Sequence, residues 1–284
     1  MNKNFTFLFA IFATIILTGC NKVNSLTCNG LKGHVKSVTS NCYYATERFG
    51  EIEKGKLIRE SDYWIPLYAE RKLEFDQKGN LLKETILDNY GDITQVTKYE
   101  YIDNTLVAWY MYGYDGELSS SWKIIFENDK PISVERFSKY EEPDGEICEC
   151  VFDGLLLKTE KYYRDGILVK KEEQEFKNNL WCKSITTDAE GNITFQAESE
   201  HTKSGQITYN HYIVKGENAI EEHIEYNEKN LPIQHSRVGM WSDGDMVCTF
   251  NYTSFDQKGN WLTRVVYKDD KLYVVEERTV EYYQ

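Results

Sequence analysis

The hexapeptide Phe75-Asp76-Gln77-Lys78-Gly79-Asn80 recurs letter for letter as Phe255-Asp256-Gln257-Lys258-Gly259-Asn260. Between the two copies the chain repeats a looser phrase: an aromatic residue, a short Asp/Asn/Gly turn, then an aliphatic restart. The turn signals Gly79, Asp103-Asn104, Asn128-Asp129, Gly154, Asn179, Gly205 and Asn230 fall about 25 residues apart. A second series, Gly91, Gly116, Gly145, Gly166, Gly191, Gly216 and Gly244, is offset by half a period. A turn therefore arrives about every 12 residues, and the unit is two strands plus two turns. Tight hairpin loops need positive φ, which favours Gly and Asn. In the hexapeptide Asp76 caps the turn and Gly79 takes the left-handed position; Gly116, Gly154 and Gly259 are read as turn glycines of the same kind.

The segments between turns alternate. Leu118, Trp122, Ile124 and Phe126 are apolar among mostly polar neighbours. Ile193, Phe195 and Ala197 alternate with Thr194, Gln196 and Glu198, and Ile207, Tyr209 and Ile213 with Thr208 and Asn210. A period of two means one buried and one wet face. No window of 12 or more residues keeps a helical stripe, so neighbouring strands are antiparallel. The predicted fold is all-β: a long antiparallel meander of tandem hairpins over 71–284, curled or spiralled, with no substantial helix outside a signal peptide. About 16 strands at roughly 4.8 Å would make an open sheet near 75 Å long, which twist must curl. The strand read from Leu31 to Thr46, in a region 31–70, and the last strand from Lys271 are expected to cap the two ends of the array. Glu47 to Glu60 reads as a turn or a short irregular excursion.

The first 19 residues are different in kind. One Lys precedes an apolar run from Phe5 to Leu17, which at the α-helical rise reaches only about 20 Å, short of a bilayer core. That is an export signal rather than a span. Leu17-Thr18-Gly19-Cys20 resembles the lipobox of bacterial lipoproteins. The resemblance implies cleavage between Gly19 and Cys20, a lipid thioether with palmitate-type acylation on Cys20, and stable membrane anchoring. Residues 20–30 then read as a lipidated polar tether. Asn21-Lys22-Val23-Asn24-Ser25 has no Asp after Cys20, which by the same resemblance favours the outer membrane, with the periplasmic or external face left open.

The repeats carry a second resemblance. Phe75-Asp76-Gln77-Lys78-Gly79-Asn80-Leu81, Tyr114-Asp115-Gly116-Glu117-Leu118, Phe152-Asp153-Gly154-Leu155-Leu156 and the second hexapeptide are similar to degenerate YD repeats of the RHS type and to MORN-variant repeats. The resemblance implies a structural or binding role with no shared chemistry.

Charge and composition bound the partners. The net charge of −13, or −14 once Lys3 leaves with the signal peptide, repels nucleic acid. Cys28, Cys42, Cys148, Cys150, Cys182 and Cys248 form no zinc spacing; a Cys28–Cys42 bridge and free buried thiols are both open. His201, His211 and His235 recur at about a strand-plus-turn and are the only metal candidates, set back by face parity, with His223 on the opposite phase. Acidic pairs such as Glu141-Glu142 and Asp243/Asp245 sit at turns, where acids solvate rather than catalyse. No cofactor is called for. The best binding hint is aromatic: Tyr110, Tyr112 and Tyr114 share one face of their strand, Trp109 and Met111 the other, and Tyr99 and Tyr101 lie in the preceding segment. Such a ladder can stack sugars or take a peptide, or only stabilise the sheet. The sequence thus points to a lipid-anchored, non-enzymatic envelope repeat protein with a glycan, peptide or protein ligand. The alternatives are a glycan-active hydrolase and an immunity or antitoxin-like partner.

Overall fold

The computed structural model describes residues 24–58, 71–87, 91–139, 146–178, 180–239 and 245–284, with only the backbone of 146–148. The signal peptide, Gly19, Cys20 and the first tether residues lie outside these, as do Gly145, Asn179, Gly244, Glu141-Glu142, Asp243 and the Cys148 side chain. One helical turn, α1 (Ser25–Cys28), precedes 19 strands. These are β1 (Val35–Arg48), β2 (Glu51–Leu57), β3 (Arg71–Phe75), β4 (Leu81–Leu87), β5 (Ile93–Ile102), β6 (Thr105–Gly113), β7 (Leu118–Glu127), β8 (Lys130–Ser138), β9 (Glu146–Asp153) and β10 (Leu156–Arg164). There follow β11 (Ile167–Lys177), β12 (Leu180–Asp188), β13 (Ile193–His201), β14 (Ile207–Val214), β15 (Glu217–Tyr226), β16 (Pro232–Val238), β17 (Met246–Phe255), β18 (Trp261–Lys268) and β19 (Lys271–Tyr282).

From β3 onward each strand lies beside the next, while β2 pairs only with β1, so the all-β antiparallel meander is as expected, with more strands than the roughly 16 estimated. Its ends do not behave as caps. β19 pairs antiparallel with β1 from Val35↔Tyr282 to Tyr44↔Val274, and β1 pairs on its other side with β3 from Ser37↔Glu74 to Ser40↔Arg71. First and last strands therefore satisfy each other's edges and bend the sheet into a nearly closed barrel, removing the unpaired backbone that terminal strands would expose. Where a turn or a short irregular excursion was expected, the chain makes a turn at Phe49-Gly50 and then the strand β2, which pairs with the far half of β1 through Ala45↔Lys54 and Arg48↔Glu51.

The two turn series separate onto opposite rims. Strand direction alternates, so hairpins closed at Gly79, Asn104, Asn128, Gly154, Gly205, Asn230 and Gly259 fall on one rim, and those at Gly91, Gly116, Gly166, Gly191 and Gly216 on the other. The twin hexapeptides make the same turn. Asp76 accepts from the backbone N–H of Lys78 and Asn80 at 2.8 and 2.9 Å, and Asp256 from Lys258 and Asn260 at 2.9 Å each. Gly79 and Gly259 sit at φ +89° and +83°.

What sets these two turns apart is their neighbour. The chain expected to be a tether is folded onto that rim. The Asn24 amide donates to the Lys78 carbonyl at 2.8 Å, and Leu26 N–H to the Gly79 carbonyl at 3.1 Å. Further on, Lys32 and Asn260 exchange two hydrogen bonds of 2.7 and 2.9 Å. Asn24 caps α1 through a reciprocal box with Thr27, and Leu26 and Leu31 enter the core. Residues 24–32 are thus strung between the two identical turns, and the tether that remains is shorter than the sequence suggested.

A Cβ on Gly79 would lie 2.4 Å from the Asn24 amide nitrogen, whereas one on Gly259 would meet nothing nearer than Lys32 Nζ at 3.5 Å. Both Gly→Ala changes impose left-handed strain of about 1–2 kcal/mol. Gly79→Ala should cost visibly more, because it also dislodges the N-terminal segment. Urea midpoints of the two variants check this; equal losses would contradict the docking.

Candidate functional site

Alternation gives every strand an inner and an outer face. The inner face carries the apolar core, including Val38, Leu73, Phe75, Leu81, Trp109, Trp122 and Ile124 in one cluster and Cys42, Cys248, Phe250, Val266 and Val274 in a second. Midway along the strands it also carries charge. Arg264 donates to Glu276 at 2.7 Å, the two side chains 5% and 2% exposed, and Arg278 stacks 3.6 Å over Trp261 beside them. Arg71 meets Glu84 at 3.0 Å. Arg136 reaches from β8 across β9 to grip both oxygens of Glu160 on β10, at 3.2 and 2.5 Å. Glu222 faces His235 at 3.6 Å, Arg237 at 3.7 Å and the Asn210 amide at 3.3 Å.

This belt explains which sequence-read residues were misplaced. On β14 the inner residues are Asn210 and Tyr212, both buried, not Tyr209. Polar character does not mark the outer face when the inner face has its own polar row. The histidines divide accordingly. His201 and His235 face inward, His235 buried and His201 lying 3.5 Å from the Ser199 hydroxyl, while His211 faces outward beside Tyr209. The three cannot share one metal ion. The tyrosine ladder divides too. Tyr99 is buried opposite Trp109 and donates to Glu84 at 3.3 Å, and Tyr101 lies in the core next to α1. Tyr110 and Tyr112 remain on the outer face, half-buried, with the Lys98 ammonium 4.9 Å from the Tyr112 ring. Tyr114 leaves the wall for the rim turn, 83% exposed.

Two groupings come nearest to catalytic chemistry, and the sequence signalled neither. Glu160 stands opposite Glu172 in register, and its burial pushes its pKa up against the pull of Arg136. A raised acid beside a second carboxylate is what glycoside hydrolysis uses, yet both oxygens of Glu160 are held by one guanidinium. Cys248 stands opposite His235. The thiol is wholly buried and pushed up to about 11 by that burial, so it stays protonated and unreactive at neutral pH. The Cys28–Cys42 bridge does not form: Cys28 is exposed and Cys42 buried, both as thiols.

The outer face is a different surface. Lys83 and Glu74, Lys161 and Glu149, Lys183 and Glu198, and Lys54 and Glu277 form ion pairs across it, each side chain about a third to a half exposed. Aromatic outcrops stand among them. Tyr110, Ser121 and Phe137 lie in one cross-strand row, and Tyr209 packs against His223 at 4.8 Å and His211 at 6.0 Å, with Glu221 accepting from the Tyr209 hydroxyl. A barrel wall in hydrocarbon needs an apolar outward band about 25 Å tall. A wall laced with lysine–glutamate pairs faces water. Chemically it offers flat aromatic area flanked by hydrogen-bonding charges, the means by which proteins hold sugars and extended peptides.

No family model matches the chain, and no curated protein does. Among solved structures, a porin-like protein from Bacteroides uniformis is similar with TM-score 0.41 and 8% identity, over 88% of this chain and 99% of that one. A porin-like protein from Bacteroides vulgatus gives 0.33 and 12%, over 88% and 99%. A chain of the TcdB2-TccC3-Cdc42 complex gives 0.32 and 11%, over 86% of this chain and only 12% of its own. At such scores these likenesses bear on neither role nor location.

Two measurements test the inner belt. Arg264→Met should cost about 3 kcal/mol of stability, read from the urea midpoint, because it leaves the buried Glu276 with only the more distant Arg278, 3.9 Å away. Burial would raise the Glu222 carboxyl, but His235, Arg237 and Asn210 outweigh it and hold it below its ordinary value. A lowered carboxyl contributes stability above its unfolded value of about 4.3 and loses it as pH falls through the folded value. Urea midpoints should therefore fall more steeply below about pH 4.3 in the native chain than in Glu222→Gln; parallel curves would contradict the assignment.

Proposed function

We propose that the protein is a lipid-anchored envelope scaffold that binds a glycan, peptide or protein ligand without transforming it. The observation that carries this reading is the water-facing outer wall with half-exposed aromatics among charges. Such a barrel cannot hold itself in a membrane by its strands, so residence there needs a separate anchor. Cys20 in its lipobox is the residue that would supply it. Asn24, where the described chain begins, is already fixed on one rim by its bond to Lys78. Four residues at up to about 3.5 Å each allow at most about 14 Å between the lipid and that rim, so the barrel would stand rim-down on its membrane. The outer membrane is the preferred one on the residues after Cys20. The glycan-hydrolase alternative has Glu160 and Glu172, but the Arg136 clamp on Glu160 speaks for a structural pair.

Labelled palmitate should enter the native chain, and Cys20→Ser should take up none and move to the soluble envelope fraction with the fold unchanged. Label retained by the variant, or unchanged membrane association, would end the anchored reading. On a glycan and peptide array, Tyr110→Ala/Tyr112→Ala should lose binding without losing stability.

A further inference from the structure

One hairpin is unlike the rest. Beyond Tyr44, where its pairing with β19 ends, β1 continues to Arg48 with β2 as partner, and from Thr46 to Lys56 both strands are exposed on both faces. The result is a two-stranded arm. At its tip Phe49 and Gly50 both have positive φ, +54° and +81°. Several other hairpins carry a residue at positive φ at the same point: Asp103, Asn128, Asp165, Asn178, Lys215 and Asp269. All of those are polar, and each is followed in sequence by Asp, Asn or Gly.

Phe49 breaks that pattern. A bulky side chain resists the left-handed region that Asn, Asp and Gly tolerate, a strain that Phe49 shares with Lys215 alone among these turn positions. Unlike the lysine it is apolar, and its ring gains nothing from the fold in return, since it is 106% exposed. A strained, fully solvated phenyl group at the end of an arm is a cost to the folded chain, and such costs gather where a surface works. Next to it in sequence and register stand Glu47, Glu51 and Glu53, with Arg48 opposing them at 3.9 Å from Glu53; the arm's other cations lie nearer its base, Lys54 paired with Glu277 at 2.8 Å and Lys56 beyond it. The tip is therefore acidic around an apolar point. An anionic bilayer would repel those carboxylates, whereas a basic protein surface with an apolar socket would accept both features.

We propose that the β1–β2 arm is a docking element that seats Phe49 in an apolar pocket of a second protein, rimmed by lysine or arginine. It is a different site from the wall aromatics and does not depend on Cys20. The arm lies on the rim opposite the Gly79 and Gly259 turns, because β1 runs from those turns to its tip.

The test places the photo-crosslinking residue p-benzoylphenylalanine at position 49 of the full chain in cells. A control carries it at Lys215, another turn on the same rim. The expected result is one protein adduct from 49 that is absent from 215. With that protein purified, Phe49→Asn should weaken binding about 30-fold, the size of an anchor residue. Glu51→Lys/Glu53→Lys should weaken it in a salt-dependent manner. Phe49→Asn should also raise the melting temperature by about 2–4 °C, since Asn suits the turn. The same adducts from both positions, a lipid adduct, a dimer of this chain, no adduct, or a melting temperature lowered by Phe49→Asn would each overturn the proposal.

Discussion

The structure depends on one strand that joins the two ends of the chain. Every other pairing joins neighbours in sequence and could form in an open sheet of any length, but β1 lies between β3 and β19 and ties the beginning of the chain to its end. An open meander of this size would leave two bare edges, each a template for aggregation. Closure removes both. The segment before β1 completes the joint: residues 24–32 bond to the Gly79 turn on one side and the Gly259 turn on the other. The aromatic C-terminus repeats the arrangement. The Tyr282 hydroxyl donates to Asp256, and that of Tyr283 to the Phe75 carbonyl at 2.5 Å. The identical hexapeptides are thus the two turns that flank the closing strand, and their likeness reflects a shared neighbour.

Closure has an electrostatic counterpart. Charges on the inner wall are stable only when paired, since a lone buried ion costs several kcal/mol. Each belt carboxylate described here has a cation in reach: Glu84 has Arg71, Glu160 has Arg136, Glu222 has Arg237 and Glu276 has Arg264. Such pairs add little net stability over apolar residues, but they penalise any register that separates them. In a chain of many similar strands that penalty selects one alignment. The Arg136–Glu160 pair does this where β8 meets β9, and the Cys150 thiol bonds the Val134 backbone at the same place.

Much of this was legible in the sequence, for a physical reason. Turns are local, and positive φ restricts residue choice, so Gly79, Gly116, Gly154 and Gly259 announced themselves, each with φ near or above +60°. Their two interleaved series turned out to be the two rims. Face assignment was less legible. It assumed that polar means wet, which failed on β14, where Asn210 is buried and Tyr209 is not. Candidates named together are likewise divided by the wall: Tyr99 is buried while Tyr110 is on the outer face, and His201 faces in while His211 faces out. Pairing of the chain ends was not legible, because nothing in a strand's pattern names a partner more than 200 residues away. The Phe49 arm fell within a charged stretch whose only visible signal, an aromatic before Gly50, resembled the other aromatic-turn phrases.

The barrel rests on the β1–β19 closure. Thr39 and Thr279 are directly paired across it, within the Cα separation that a disulfide spans. Under mild oxidation Thr39→Cys/Thr279→Cys should form an intramolecular bond in the folded monomer, seen as the loss of two titratable thiols and faster migration on a non-reducing gel. Thiols that stay reduced, or that link one molecule to another, would show that the chain ends are apart and that the sheet is open.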